Sequence, residues 1–141
     1  MKKVLHMPET YYYQAEDGRK FQNEELCTRY EYLCNKWLSK RIESINTDDT
    51  KVFYYPVASY EDLREIADFE HLHDHNYMTI HPQESYYQIP GWVVTSYNCY
   101  DDGHPDIIEP LSYMEDCIKD VEDTLDQMRK DITRLKGDIL K

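Results

Sequence analysis

The stretch 111-LSYMEDCIKDVEDTLDQMRKDITRLKGDIL-140 sets the architecture of this chain. Its apolar positions are Leu111, Met114, Ile118, Val121, Leu125, Met128, Ile132, Leu135 and Ile139, separated by gaps that alternate three and four. An average spacing of 3.5 keeps one side of an α-helix apolar turn after turn. A repeat held this strictly over four heptads is the pattern of a coiled-coil seam. Ser112 and Glu115 have the spacing of a capping box at its start. Gly137 disfavours helix by about 1 kcal/mol relative to Ala, so the last turn is expected to fray.

Length then divides the chain. As a helix, residues 113–140 span roughly 42 Å. The remaining residues, about 110 of them, make a globule with a radius of gyration near ~13 Å. The expected organisation is a compact α+β domain over 1–110 and a long amphipathic heptad helix over 111–141, which either turns part of its seam to another chain or packs across the body and overhangs it. With Leu111 as heptad position a, the e positions are Glu115, Glu122, Arg129 and Lys136. In an antiparallel pair crossing near Leu125, Glu115 faces Lys136 and Glu122 faces Arg129 of the second chain. A parallel pair offers one clear attraction, Asp131 with Lys136. The expectation is an antiparallel homodimer.

Upstream, residues 10–22 read as a hairpin: Tyr11 to Ala15 is strand-like, Glu16-Asp17-Gly18-Arg19 turns, and Lys20-Phe21 returns. Asn23 suits a helix N-cap, with Glu24 and Glu25 in the first turn. Leu26, Tyr30, Leu33, Cys34, Trp37, Leu38 and Ile45 fall at helical spacing, in a helix expected to reach about Arg41. Asn46 to Asp49 is a loop and Val52 to Val57 a strand. Ser59 caps a second helix, with Asp62 at N3 and Leu63, Ile66 and Phe69 on its apolar side. Residues 71–88 are irregular, Pro90-Gly91 turns, and Trp92 to Tyr97 is a strong strand. Asp101 to Pro105 turns again, and an extended Asp106–Glu109 leads into the last helix. The order implies α+β, with a small mixed or antiparallel sheet and two helices before the long one.

Composition bounds the function. The 141 residues carry 28 acids against 16 Lys and Arg, a net charge of −12. Residues 51–110 hold eleven acids against Lys51 and Arg64, a balance of −9. Such a field repels nucleic acid and anionic membranes and attracts basic partners. No stretch approaches the ~18 apolar residues of a membrane helix, and no apolar h-region follows the N-terminal lysines. The expected setting is a cytoplasm. Cys27 and Cys34 lie about 10 Å apart at helical rise, too far for a disulfide, so free thiols are expected. Tyrosine is abundant, with fourteen residues that include the pairs Tyr54-Tyr55 and Tyr86-Tyr87. Adjacent tyrosines in a strand point to opposite faces, and Tyr suits interfaces because a large ring carries a polar tip. The candidate partner-binding residues are therefore Asp101, Asp102, Asp106, Glu109, Tyr86 and Tyr87.

Catalytic and metal patterns are weak. His71-x-His73-x-His75 could share a metal, but it lacks a further ligand motif and better suits a solvated helix C-terminus. The acids around Asp101 lack the twelve-residue calcium-loop pattern. There is no P-loop, G-x-G-x-x-G or G-x-S-x-G. No enzyme, metal or cofactor is expected. An anionic small ligand, such as a nucleotide signal held between subunits, would need Arg29, Lys36, Arg41 or Arg64 to cluster in space.

The run Tyr13-Gln14-Ala15-Glu16-Asp17-Gly18-Arg19-Lys20-Phe21, followed by Glu25-Leu26-Cys27 and Tyr30-Glu31, resembles the opening of small uncharacterised bacteriophage proteins. The Pro90-Gly91-Trp92-Val93-Val94 strand, the acidic Asp-Gly turn and the final helix are similar to their later part. That resemblance implies a class that includes inhibitors of host defence, among them anti-CRISPR proteins that occupy basic nucleic-acid channels. It carries no catalytic residues across. A non-inhibitory structural or regulatory interaction protein is the plainer alternative.

Overall fold

A computed structural model describes residues 1–6, 10–98 and 106–139. The fold is α+β with three α-helices, and its strands divide among three small sheets rather than forming one. The first sheet is antiparallel, in the order β1 (Lys2–His6), β2 (Thr10–Gln14), β3 (Lys20–Phe21). The β2–β3 turn follows from its residues. Gly18 sits at φ 93°, a left-handed conformation open to glycine. Asp17 accepts a bond from Arg19 N–H at 3.0 Å. Strand β1 was not legible as a strand, because its register with β2 comes from tertiary pairing (Lys3 with Tyr13, Leu5 with Tyr11).

Helix α1 (Glu24–Trp37) starts where Asn23 accepts from Leu26 N–H at 3.1 Å. It buries Cys27, Tyr30, Leu33 and Trp37. Leu26 and Leu38 do not belong to that face and are exposed. The helix also ends earlier than expected, at Trp37, because the chain turns into β4 (Ile42–Asn46), an edge strand paired to β5 (Thr50–Val57). Ile45 is thus an exposed strand residue. The second sheet runs β4, β5, β7 (Gly91–Asn98), β9 (Glu109–Pro110), antiparallel throughout. At Gly91 a Cβ would lie 2.3 Å from Gln88 O, so that turn requires glycine. A parallel pair, β6 (Met78–Thr79) and β8 (Asp106–Ile107), makes the third sheet.

Helix α2 (Tyr60–Phe69) behaves as its pattern predicts: Leu63, Ile66 and Phe69 are all fully buried. Ser59 occupies the cap position without a side-chain capping bond, and Asp62 instead accepts from Ala58 N–H at 2.8 Å. The main core lies between α1, α2 and one face of the second sheet, with Phe53, Tyr55, Val57 and Val93 meeting Leu33, Trp37, Leu63, Ile66 and Phe69.

Helix α3 (Leu111–Ile139) follows β9 directly, so Ser112 lies inside its first turn rather than at its cap. It packs against the body through β7 and β9. From Ile118 to Leu135 every seam residue is 46–59% exposed. The Ile139 side chain lies outside the described residues. Among the described residues, no helix is long and apolar enough to cross a membrane.

Candidate functional site

Of the sequence-predicted residues, Tyr86 and Glu109 meet where β8 and β9 lead into α3. Tyr86 ends a 3-10 turn, Glu84–Tyr86, and its hydroxyl donates to Glu109 on β9. Its ring stacks on His81, with centroids 4.1 Å apart. Burial and the bond to Glu109 together raise the Tyr86 pKa, so the hydroxyl stays protonated. Tyr113, in the first turn of α3, is exposed and lies close enough to Glu109 to feel its field; its pKa is raised, first by a hydrogen bond with Cys117. Tyr113 was not singled out from sequence, although its place just before the seam residue Met114, within a few residues of Glu109, is a signal. Asp106 is half-buried on β8 and Ile107 beside it is exposed. Asp101 and Asp102 lie outside the described residues.

Tyr87 does not belong to this surface. It is buried in the core, where its hydroxyl donates to Ile108 O at 2.7 Å and accepts from His81 N–H at 2.9 Å. Of two adjacent tyrosines, one is spent on tying the 81–87 loop to the β8–β9 segment, and the other is presented near the surface.

The negative charge of 51–110 is also distributed differently from its regional sum. Lys36 lies 3.1 Å from Asp62 and 2.7 Å from Glu65. Arg29 lies 3.1 Å from Asp68. Arg41 lies 2.5 Å from Asp74, with both side chains at or below 10% exposure. Each of these cations comes from residues 26–50, which is why a count over 51–110 alone overstates the field. Arg64, the fourth candidate cation, sits 3.9 Å from Glu61. The four cations that could have held an anionic ligand therefore each face a carboxylate.

Glu70, fully buried, accepts from Tyr55 at 2.6 Å, Thr95 at 2.6 Å and Asn76 at 2.9 Å. Arg41 donates to Tyr55 at 3.2 Å and continues this chain of bonds. Three donors on one carboxylate offset its desolvation, which makes the knot a structural junction between β5, β7 and the end of α2.

The histidines separate. His71 packs on Tyr77, His73 stacks on Phe69 and bonds Asp74 at 2.9 Å, and His75 is an exposed cap residue at φ 60°. A π-helical turn over Glu70–Asp74 spreads them around the chain. Among the described residues, no three His, Cys, Asp or Glu are placed to hold a metal. Cys27, Cys34 and Cys117 are free thiols; burial raises the pKa of Cys27 and Cys34, which lowers their thiolate fraction. A cavity of about 160 Å³ beside Tyr30 and Cys34 is lined by Glu16, Asp17 and Glu31, an acidic wall around a small volume.

Comparison with protein-family models, with curated proteins and with solved structures finds no match.

Proposed function

We propose that the protein acts by binding a basic surface on another protein, of the kind a bacterial nucleic-acid-binding defence factor carries, and so blocks that surface. The reading gives it no catalytic role and places it in the cytoplasm of the host. The observation that carries it is where the negative charge is left. Four acids of the α2 region are paired within the chain with three cations: Asp62 and Glu65 share Lys36, Asp68 meets Arg29 and Asp74 meets Arg41. From Asp106 to Asp126, by contrast, eight acids stand in sequence against Lys119, a net −7, with Asp126 in an exposed pair with Arg129 just beyond. This run begins at the Tyr86–Glu109 corner and continues along α3, where Asp116, Asp120, Asp123 and Asp126 are all exposed. Tyr86 and Tyr113 supply ring surface beside it, which suits a docking corner because charge steers the encounter and aromatic area holds it. The likeness to phage proteins supports the same class.

The test is capture from a bacterial lysate on the immobilised protein, followed by binding of the captured partner at rising salt. Affinity should fall steeply as the screening length shrinks from about 10 Å at 0.1 M to about 3 Å at 1 M. Neutralising Asp101, Asp102, Asp106 and Glu109 together should weaken binding roughly tenfold or more. Binding that ignores salt, or that survives the fourfold neutralisation intact, rules the reading out.

A further inference from the structure

The exposed seam of α3 identifies its own occupant. Ile118, Val121, Leu125, Met128, Ile132 and Leu135 form one apolar stripe, each about half exposed, on a helix that leaves the body after its first turns. We propose that a second copy of this chain covers the stripe, with the two α3 helices antiparallel. The argument is charge complementarity along the stripe. Seam layers that pair Ile118 with Leu135, Val121 with Ile132 and Leu125 with Met128 across the two chains form one consistent register, centred between Asp126 and Gln127. The apolar layers alone define that register. It nevertheless sets Glu115 beside Lys136 and Glu122 beside Arg129 of the other chain, and the two-fold axis repeats each pair. The opposite edge carries Thr124 against Asp131 and Cys117 against Asp138, with no pair of like charges.

A parallel register loses this match. Its g-to-e contacts set Cys117 beside Glu122, Thr124 beside Arg129 and Asp131 beside Lys136, one kind of charge attraction in place of two. Among the described residues, no contact of these side chains opposes the antiparallel pairs. Arg129 is engaged, among the described residues, by Asp126 at 3.1 Å, with both side chains more than 60% exposed, a contact weak enough to re-form elsewhere. No described contact of Glu115, Glu122 or Lys136 competes. In such a dimer the bodies sit at opposite ends of a shared rod, so each basic C-terminal half lies against the acidic first half of its mate. The inference shares Glu115 and Glu122 with the acidic run of the docking reading but does not depend on that reading, because the seam is argued without it.

Two measurements test it on the full chain. Sedimentation at micromolar concentration should give a dimer, and Leu125→Glu with Met128→Glu should give a monomer whose circular dichroism still shows a folded body. Orientation is read by mixing Ile118→Cys with Leu135→Cys under mild oxidation and mapping the disulfides by mass spectrometry, which separates them from those of native cysteines. The antiparallel register yields a 118–135 bond in the mixture and no 118–118 bond in the first variant alone. Glu115→Lys with Glu122→Lys should weaken the dimer at least about tenfold, because four attractions become repulsions. A monomer or a higher oligomer for the parent chain overturns the proposal. So does a 118–118 disulfide, and so does a charge reversal without effect. Loss of partner capture with the dimer intact would instead strike the docking reading alone.

Discussion

Helices α2 and α3 carry the same kind of amphipathic signal and meet opposite fates. In α2, Leu63, Ile66 and Phe69 are fully buried against the second sheet. In α3, the residues from Ile118 to Leu135 keep about half their surface in water. The charges follow the same division. Arg41 and Asp74, at the end of the α2 region, are a desolvated pair, whereas Arg129 and Asp126 are 77% and 62% exposed. Periodicity therefore specifies that a helix has an apolar face. Whether the chain fills that face itself depends on length and connection: α2 is ten residues joined at both ends to the body, and α3 is twenty-nine.

The largest effect expected on this contrast comes from its charges. Arg41→Ala leaves Asp74 buried with its main cation gone and strips the guanidinium from the faces of Phe53 and Phe69, 3.9 and 5.0 Å from the ring centroids. Removing one partner of a buried pair costs about 3–5 kcal/mol. Arg129→Ala should change stability by less than about 0.5 kcal/mol. Urea unfolding of both variants at one protein concentration decides it, and equal shifts would refute the distinction.

The apolar faces should separate almost as far. Leu63→Ala removes a fully buried side chain and is expected to cost about 2–5 kcal/mol, whatever the protein concentration. Leu125→Ala should leave the unfolding midpoint of the dilute chain nearly unchanged and lower it only where the chain self-associates, since stability gained from a partner is concentration-dependent. Thermal melts over a hundredfold range of concentration distinguish the two. A concentration-independent loss for Leu125→Ala would mean that α3 packs on its own body.

Acid should act on the body before it acts on α3. Burial raises the Asp74 carboxyl, but hydrogen bonds from His73 and Arg41 outweigh it and hold the pKa below its ordinary 3.8. Burial likewise raises Asp62, and bonds from Ala58 N–H and Lys36 bring it below 3.8. A carboxyl whose folded pKa lies under its unfolded value stabilises fully above that value and loses the contribution as pH falls through the folded pKa. With respect to these two groups, stability should be level from neutral pH to about 5 and decline below about 4. The Lys36 pKa is raised, first by its bond to Glu65, so its share is complete below the ordinary lysine value and is lost only at strongly alkaline pH. The midpoint in urea against pH shows it, and Asp74→Asn should start lower and fall less steeply.

How much of this was legible in sequence depended on whether a residue's partner was local. The Asp17-Gly18 turn, the Asn23 cap, the apolar side of α2 and the extent of α3 were readable because each is decided within one turn of chain. Strands β1 and β4 were not, since their pairing with β2 and β5 is a tertiary fact and β4 is exposed along its whole length. At the candidate site, Glu109 and Tyr86 were identified, but their meeting across twenty-three residues was not visible. Tyr87 was misread for a related reason: adjacent tyrosines look alike until the fold buries one. The Glu70 junction gave no sequence signal, because its donors Tyr55, Asn76 and Thr95 are ordinary residues brought together by three separate elements.

The smallest effects sharpen the contrast through the backbone. His75 closes the π-helical turn at φ 60°, with His75 and Asn76 N–H both bonding Glu70 O, the latter at 3.0 Å. A left-handed residue with a side chain costs roughly 1 kcal/mol that glycine avoids, although glycine also enlarges the unfolded ensemble. His75→Gly should therefore shift stability by no more than about 0.5 kcal/mol, while His75→Val, β-branched at positive φ, should lose more than about 1 kcal/mol. In α3 the sign reverses. A Cβ at Gly137 meets nothing within 4 Å, so Gly137→Ala adds helix propensity worth up to about 1 kcal/mol at the site. Because the last turn opens independently of the body, that gain should appear as slower amide exchange across residues 133–139 and not in the global unfolding midpoint. If Gly137→Ala raised the global midpoint as well, α3 would have to unfold together with the body, and the division between a self-filled domain and an overhanging helix would fail.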